Sequence, residues 1–181
     1  QKVEVPTLDQ ASSVLLAPVR PRVALTEDTR QFAVAWTQQS WDGDSGWMEG
    51  SIGVVSFHAF DLATPWTSAI ALPGDSTADL RGGEEAFTNV CATGNVYVIA
   101  WVASITGTAL GGILAQRFNG HGQPLGDVFR VHQTYVPTLG LSLACATDGS
   151  FVVGWSSEQR ELLVQAVDAS DSLLLESQRL S

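Results

Sequence analysis

Three segments of this chain end a β-type run with tryptophan, and this repeat constrains the fold more than any other feature. The runs cover residues 31–36, 96–101 and 150–155, and their last residues are Trp36, Trp101 and Trp155. Each run follows a shorter apolar segment and a turn, and each precedes a polar loop and two further short runs. Four strands per unit, repeated along a chain, are typical of the blades of a β-propeller.

The later parts of the units align as well. We predict third strands over 52–61, 113–119 and 162–168, and fourth strands over 67–72, 127–131 and 174–180. Residues 161–167 have some helical propensity, but the alignment of Gln165 with Gln116 favours a strand. β-Branched and aromatic residues fill the runs, while Gly, Asn, Asp, Ser and Pro separate them.

The sequence therefore predicts an all-β fold, a β-propeller fragment of about three and a half four-stranded blades. The units are 21–74, 75–134 and 135–181, and residues 1–20 form a half blade whose third and fourth strands lie at 3–5 and 13–16. Because each blade packs on two neighbours, its central strands should be apolar on both faces. An open ring exposes apolar faces and strand edges, so we expect a companion polypeptide or a second copy of the chain to complete the propeller.

Charge and hydropathy exclude some partners. The formal charge is −10, from 19 acidic and 9 basic residues, which disfavours nucleic acid and anionic lipid surfaces. The sequence has no apolar run long enough to span a bilayer, so we predict no membrane insertion.

The chain resembles a class of bacterial exported repeat proteins. Their units read approximately Asp-Gly-x-Phe-Val-Val-x-Trp, then Ile-x-Ala-Gln-Arg-Phe-x-x-x-Gly and a Phe-x-Val strand. Residues 148–155 match the first half, and 113–122 with 129–131 match the second. The first unit departs from the pattern, with His58-Ala59-Phe60 where Gln-Arg-Phe is expected. The resemblance implies a propeller-like fold in a secreted or cell-surface protein, and it implies no shared catalytic motif.

The longest loop after a tryptophan run is the predicted ligand-binding surface. It combines aromatic and acidic side chains of a kind that bind ligands on rigid scaffolds: Trp41, Asp42, Asp44, Trp47 and Glu49. Asp42, Asp44 and Glu49 also offer oxygen ligands for calcium, although their spacing is not that of an EF-hand. A plain surface loop anchored by its tryptophans is the alternative, and we predict no other metal or cofactor.

Other candidate sites have structural explanations. The tryptophans that end the runs could stack on sugars, but packing between blades is the expected role. His58, His121 and His132 lie at no metal-ligand spacing and beside no evident nucleophile. Cys91 and Cys145 occupy the same place in successive units. Stacked sheets lie ~10 Å apart and a disulfide needs Cα atoms within about 7 Å, so we expect free thiols.

No catalytic motif occurs in the sequence, and we predict that the chain is not an enzyme. The leading hypothesis is a non-catalytic extracellular scaffold or protein-interaction module, which presents loops to a surface protein or glycan. One alternative is a lectin-like propeller that binds carbohydrate through Trp41 and Trp47. Another is the non-catalytic portion of an enzyme whose active site lies in a companion chain.

Overall fold

The structure, a computed structural model, describes residues 14–26, 31–42, 48–59, 70–71, 88–104, 111–134, 140–157, 160–174 and 178–180. For some strand residues, including 14–19, 38–42 and 48–53, only the backbone is described. All regular secondary structure in these ranges is β-strand, which confirms the all-β prediction. The described part of the chain contains no helix of the length and apolarity needed to cross a membrane.

The strands form three separate four-stranded antiparallel sheets. The first sheet has the order β1 (Val14–Leu25), β2 (Gln31–Asp42), β3 (Met48–Ala59), β4 (Ile70–Ala71). The second contains β5 (Thr88–Thr93), β6 (Val96–Ser104), β7 (Gly111–Asn119) and β8 (Phe129–Thr134). The third contains β9 (Gly140–Cys145), β10 (Phe151–Ser156), β11 (Leu162–Val167) and β12 (Gln178–Arg179). Successive strands are neighbours in every sheet, as the repeat predicts.

The start of the first sheet corrects the sequence analysis. Residues 13–16 were predicted to close a half blade, but Val14–Leu16 pair with Ser40–Asp42 as the beginning of β1. Pro18 and Pro21 lie within this strand. They are tolerated because β1 lies at the edge of its sheet, and because the register shifts between Val19 and Arg22 in a β-bulge.

The second sheet lies between the other two. Tyr97, Ile99 and Trp101 on β6 belong to an apolar core shared with the first sheet. Val98 and Ala100, which alternate with them, belong to a core shared with the third sheet. All five are at most 2% exposed. The prediction of a central strand that is apolar on both faces is therefore confirmed for β6.

The three tryptophans set a common register. Each is buried and lies opposite an apolar residue of the third strand in its sheet: Trp36 opposite Val54, Trp101 opposite Leu114, and Trp155 opposite Leu163. Because each of the three is at most 4% exposed, none offers a ring face on which a sugar could stack. We call residues of different sheets register-equivalent when they lie the same number of positions from the tryptophan or from its cross-strand partner, or when they pair with such residues.

The first unit was misaligned at its third strand. Ser56-Phe57-His58 is register-equivalent to Gln116-Arg117-Phe118, since each triplet begins two residues after the partner of the tryptophan. His58 therefore takes the place of Phe118, and the earlier match of 58–60 to Gln-Arg-Phe is wrong by two residues.

Arg117 joins the second sheet to the third. Its Nε donates to Asp171 Oδ1 at 2.6 Å, and its two terminal nitrogens donate to the backbone oxygens of Gly149 and Asp168 at 2.9 Å. Its guanidinium carbon also lies 5.3 Å from the centre of the Phe151 ring. Since Arg117 is only 8% exposed, these charge-assisted bonds are shielded from water and fix two turns of the third sheet.

Phe57 is register-equivalent to Arg117 and lies at the interface between the first and second sheets. Its ring centre lies 5.4 Å from those of Tyr97 and Phe118. A Cβ added to Gly122 would fall 2.5 Å from the Phe57 ring, and Gly122 has a φ of +78°. Both the close approach and the left-handed conformation therefore require glycine at this turn.

The prediction of free thiols is wrong, because Cys91 and Cys145 form a disulfide with Cα atoms 5.7 Å apart. Cys91 lies opposite Val98, three residues before Trp101, whereas Cys145 lies opposite Phe151, four residues before Trp155. This difference of one residue reverses the face on which the side chain lies. The two sulfurs consequently point towards each other from β5 and β9, which lie side by side.

We predict that replacing both cysteines by alanine lowers the free energy of unfolding by about 2–4 kcal/mol, since the bridge closes a loop across a sequence separation of 54. Alanine is the matched replacement because Ala24 and Ala144 are register-equivalent to Cys91, and Ala92 is register-equivalent to Cys145. Urea unfolding with and without reductant measures the effect. Full alkylation of both thiols in unreduced, denatured protein would contradict the disulfide.

Candidate functional site

The predicted ligand loop falls mostly outside the described residues. The backbones of Trp41, Asp42 and Glu49 belong to β2 and β3, and Trp41 pairs with Met48 at the end of the hairpin. The side chains of these residues, and Asp44 and Trp47 as a whole, lie outside the described part. The sugar and calcium hypotheses for this loop therefore stay predictions. Among the described residues, no group of three or more His, Cys, Asp or Glu side chains could hold a metal ion.

The histidines occupy three different environments. His58 Nε2 lies 2.7 Å from Ser56 Oγ, which is a local hydrogen-bond contact within β3. Ser56 and His58 are 4% and 7% exposed, however, and a substrate cannot reach them. Burial lowers the pKa of His58 to about 4 and also lowers the pKa of His132, whose ring packs on Trp155. His121 is exposed in a turn.

The outward side of the third sheet is the clearest candidate interaction surface. On β10, Phe151, Val153 and Trp155 are buried towards the second sheet, while Val152 is 44% exposed on the other side. Cross-strand pairing places small and apolar residues around it. We call this surface the outer face; its residues are Ala144, Val152, Gly154, Val164 and Ala166.

The outer face repeats a surface that is buried elsewhere in the same protein. Its register-equivalent residues in the second sheet are Val98 for Val152, Ala100 for Gly154, Ala115 for Val164 and Arg117 for Ala166. Those four residues are 0–8% exposed because the third sheet covers them. Apolar surface of this kind is stabilised by removal from water, so the outer face has the composition of an interface.

A second candidate is a cleft of about 280 Å³ between β1 and the third sheet. It is lined by two basic residues, two glycines, two serines and three apolar residues: Arg20, Arg22, Gly140, Gly154, Ser142, Ser156, Leu141, Trp155 and Leu162. None of the described residues that line it is acidic. Sequence reasoning missed this cleft, although Arg20-Pro21-Arg22 places two of the nine cations of an acidic chain one residue apart.

The β-bulge in β1 determines how the arginines are presented. Arg20 has a φ of +54°, a left-handed conformation that non-glycine residues seldom adopt. Pro21 follows, and because proline has no N–H group, the interrupted pairing leaves no backbone donor unsatisfied at this residue. Regular pairing resumes with Arg22 opposite Ala35. Both arginines are thereby exposed at the edge of the first sheet and line the cleft.

Comparisons with known proteins assign no family. No family model and no curated protein matches the chain. Among solved structures it is similar to one from the GH130 family of mannoside phosphorylases, which contains glycoside hydrolases that target β-1,2 mannosidic linkages in Candida mannan. That likeness has 10% identity, a TM-score of 0.43, and covers 86% of this chain and 50% of the other. A prolyl endopeptidase has 10% identity, a TM-score of 0.24, and coverage of 92% and 34%. The chain thus spans half or less of the length of these structures.

We predict that His58 makes the protein less stable in acid. Its pKa is lowered from 6.5 to about 4 because burial disfavours the imidazolium. The contribution of neutral His58 to the free energy of unfolding is therefore fully present above pH 6.5 and is lost as the pH falls towards 4. The loss attributable to His58 should approach about 3 kcal/mol. Urea unfolding over this pH range measures it.

His58→Phe is the matched variant, because Phe118 is register-equivalent. It should remove most of this pH dependence, whereas His121→Phe, at an exposed position, should leave it intact. Equal pH dependence in the wild type and His58→Phe would show that His58 titrates normally.

Proposed function

We propose that this chain is a non-catalytic interaction module of a secreted or cell-surface protein, which completes a β-propeller with a companion polypeptide. The observation that carries the proposal is the outer face of the third sheet. Its residues are exposed or half-buried, yet they are register-equivalent to residues of the second sheet that the third sheet buries. In this account the three sheets are consecutive blades.

The arrangement of the strands supports the blade interpretation. The first strands of neighbouring sheets lie close together, β1 beside β5 and β5 beside β9, as expected where blades meet at the inner edge of a propeller. The units 75–134 and 135–181 each contain one complete sheet, and the first unit extends back at least to Val14.

The interfaces within the chain indicate which partner fits. Such a face is covered by a four-stranded sheet that presents an aromatic, an aliphatic and a tryptophan side chain, as Phe151, Val153 and Trp155 do. The equivalent residue on the outward side of the first sheet, Trp36, is already buried at 4% exposure, as is Val54 at 2%. Phe32 and Val34 on the same side are half-buried, so a second copy offers only part of such a surface, and we assign the position to a sheet of another polypeptide.

The disulfide supports an extracellular location. Disulfides form and persist in oxidising compartments and are rare in the cytosol of most organisms. Cys91 and Cys145 join β5 to β9 between two sheets, so the bond holds the relative position of the two sheets where reducing enzymes are absent.

We predict that Val152→Asp abolishes association with the companion polypeptide, because a carboxylate in the middle of the outer face would be buried without a partner. Leu125→Asp is the control, since Leu125 is 43% exposed, much like Val152 at 44%, but lies outside the face. Tagged proteins would be recovered from the surface or medium fraction of the cells that make them, and bound chains sequenced and quantified.

The expected result is one stoichiometric partner with four-stranded repeats, present with the wild type and Leu125→Asp and absent with Val152→Asp. Association with a second copy alone would refute the companion polypeptide, and recovery of the wild type without a bound chain would refute the proposed function.

A further inference from the structure

The cleft beside β1 lies where the third sheet departs from its repeat. The residues register-equivalent to Gly154 and Ser156 are Ala100 and Val102 in the second sheet, and both pack into the core shared with the third sheet. Gly154 lacks the methyl group of Ala100. Ser156 has a hydroxyl group where Val102 has an apolar side chain. The changes open space and add a hydrogen-bonding group at the same place.

The first strands add polar groups at one repeated position. Arg22, Asn89 and Ser142 lie opposite Ala35, Ala100 and Gly154, and are therefore register-equivalent. Asn89 is buried, and its amide donates to the backbone oxygen of Leu141 in the next sheet at 2.9 Å. Side chains at this position thus reach across to a neighbouring sheet. Arg22 and Ser142, at this position of the first and third sheets, both line the cleft.

Charge and size restrict what the cleft can accept. Two guanidinium groups and no described acidic side chain line it, within a chain of formal charge −10. A guanidinium binds a carboxylate through two parallel hydrogen bonds, and the serine hydroxyls can donate to or accept from ligand hydroxyls. The volume of about 280 Å³ lies at the lower end of ligand pockets, which suits a single ring.

We propose that this cleft binds a small polyhydroxylated carboxylate, of the size and chemistry of a single sugar acid. Arg22 binds the carboxylate, and Ser142 and Ser156 bind hydroxyl groups of the ring. Gly154 belongs to the outer face as well as to the cleft, so we propose this binding for the isolated chain, in which no companion polypeptide covers that face.

The test is a calorimetric titration of the full chain with glucuronate and with glucose, which has the same ring without the carboxylate. We expect saturable binding of glucuronate that is at least about tenfold tighter than that of glucose. Arg22→Gln should weaken it by about tenfold or more, as expected for loss of a charge-assisted contact. Ser156→Val, which restores the residue of the second sheet, should also weaken it by filling the cleft while keeping its charge.

Arg130→Gln is the control, because Arg130 is an exposed arginine of β8 outside the cleft. It should bind glucuronate like the wild type, and the urea midpoint of Arg22→Gln should be unchanged because Arg22 is exposed. Absence of saturable glucuronate binding, equal affinity for glucose, or equal weakening by Arg130→Gln would each overturn the proposal. The titration uses the isolated chain, so its result does not depend on whether a companion polypeptide is found, and Val152→Asp, which leaves the cleft residues unchanged, should bind glucuronate like the wild type.

Discussion

The burial of β6 on both faces is the interaction on which the rest of the structure depends. Tyr97, Ile99 and Trp101 are removed from water by the first sheet, and Val98 and Ala100 by the third. A single strand thereby fixes the positions of two other sheets, and a change of register by one residue would exchange the two sets. The same geometry leaves the last sheet with one apolar face and no described partner, which is the basis of the proposed function.

The interfaces of the second sheet with the first and third sheets have the same geometry but different side-chain chemistry. Phe57 and Arg117 are register-equivalent and both reach the turn that follows the third strand of the next sheet. Phe57 packs on aromatic rings, whereas Arg117 makes three hydrogen bonds that would be costly to leave unmade once buried. The second and third sheets are also joined by the disulfide. We therefore expect the second and third sheets to separate last when the protein unfolds.

Much of the fold could be predicted from spacing alone. The tryptophan runs, the strand at 162–167 and the equivalence of Asn119 with Asp168 all follow from the aligned sequence. Both residues accept backbone hydrogen bonds in the turn after the third strand, from His121 and Gln123 in one case and Ser170 and Ser172 in the other. The hydrogen bond from the Ser170 hydroxyl is the largest cause of the lowered pKa of Asp168, followed by that from the Ser172 backbone.

The features that sequence reasoning missed depend on cross-strand register. Cys91 and Cys145 are each ten residues before a tryptophan, and only the pairing of their hairpins shows that they face each other. His58 was misplaced because the first hairpin is longer than its counterparts. The arginine cleft arises from a bulge at Pro21 and from two substitutions in a distant unit, and its parts come together only in the folded chain.

Thiol labelling at four single positions tests most directly whether the second sheet is enclosed and the third has an open face. Val98→Cys, Ile99→Cys, Val152→Cys and Val153→Cys introduce a thiol on each face of β6 and of β10. Reaction of the native chain with a thiol reagent, without reductant, should be fast for Val152→Cys alone, with the other three reacting only on unfolding. Rapid labelling of Val98→Cys or Ile99→Cys, or protection of Val152→Cys in the isolated chain, would contradict the account.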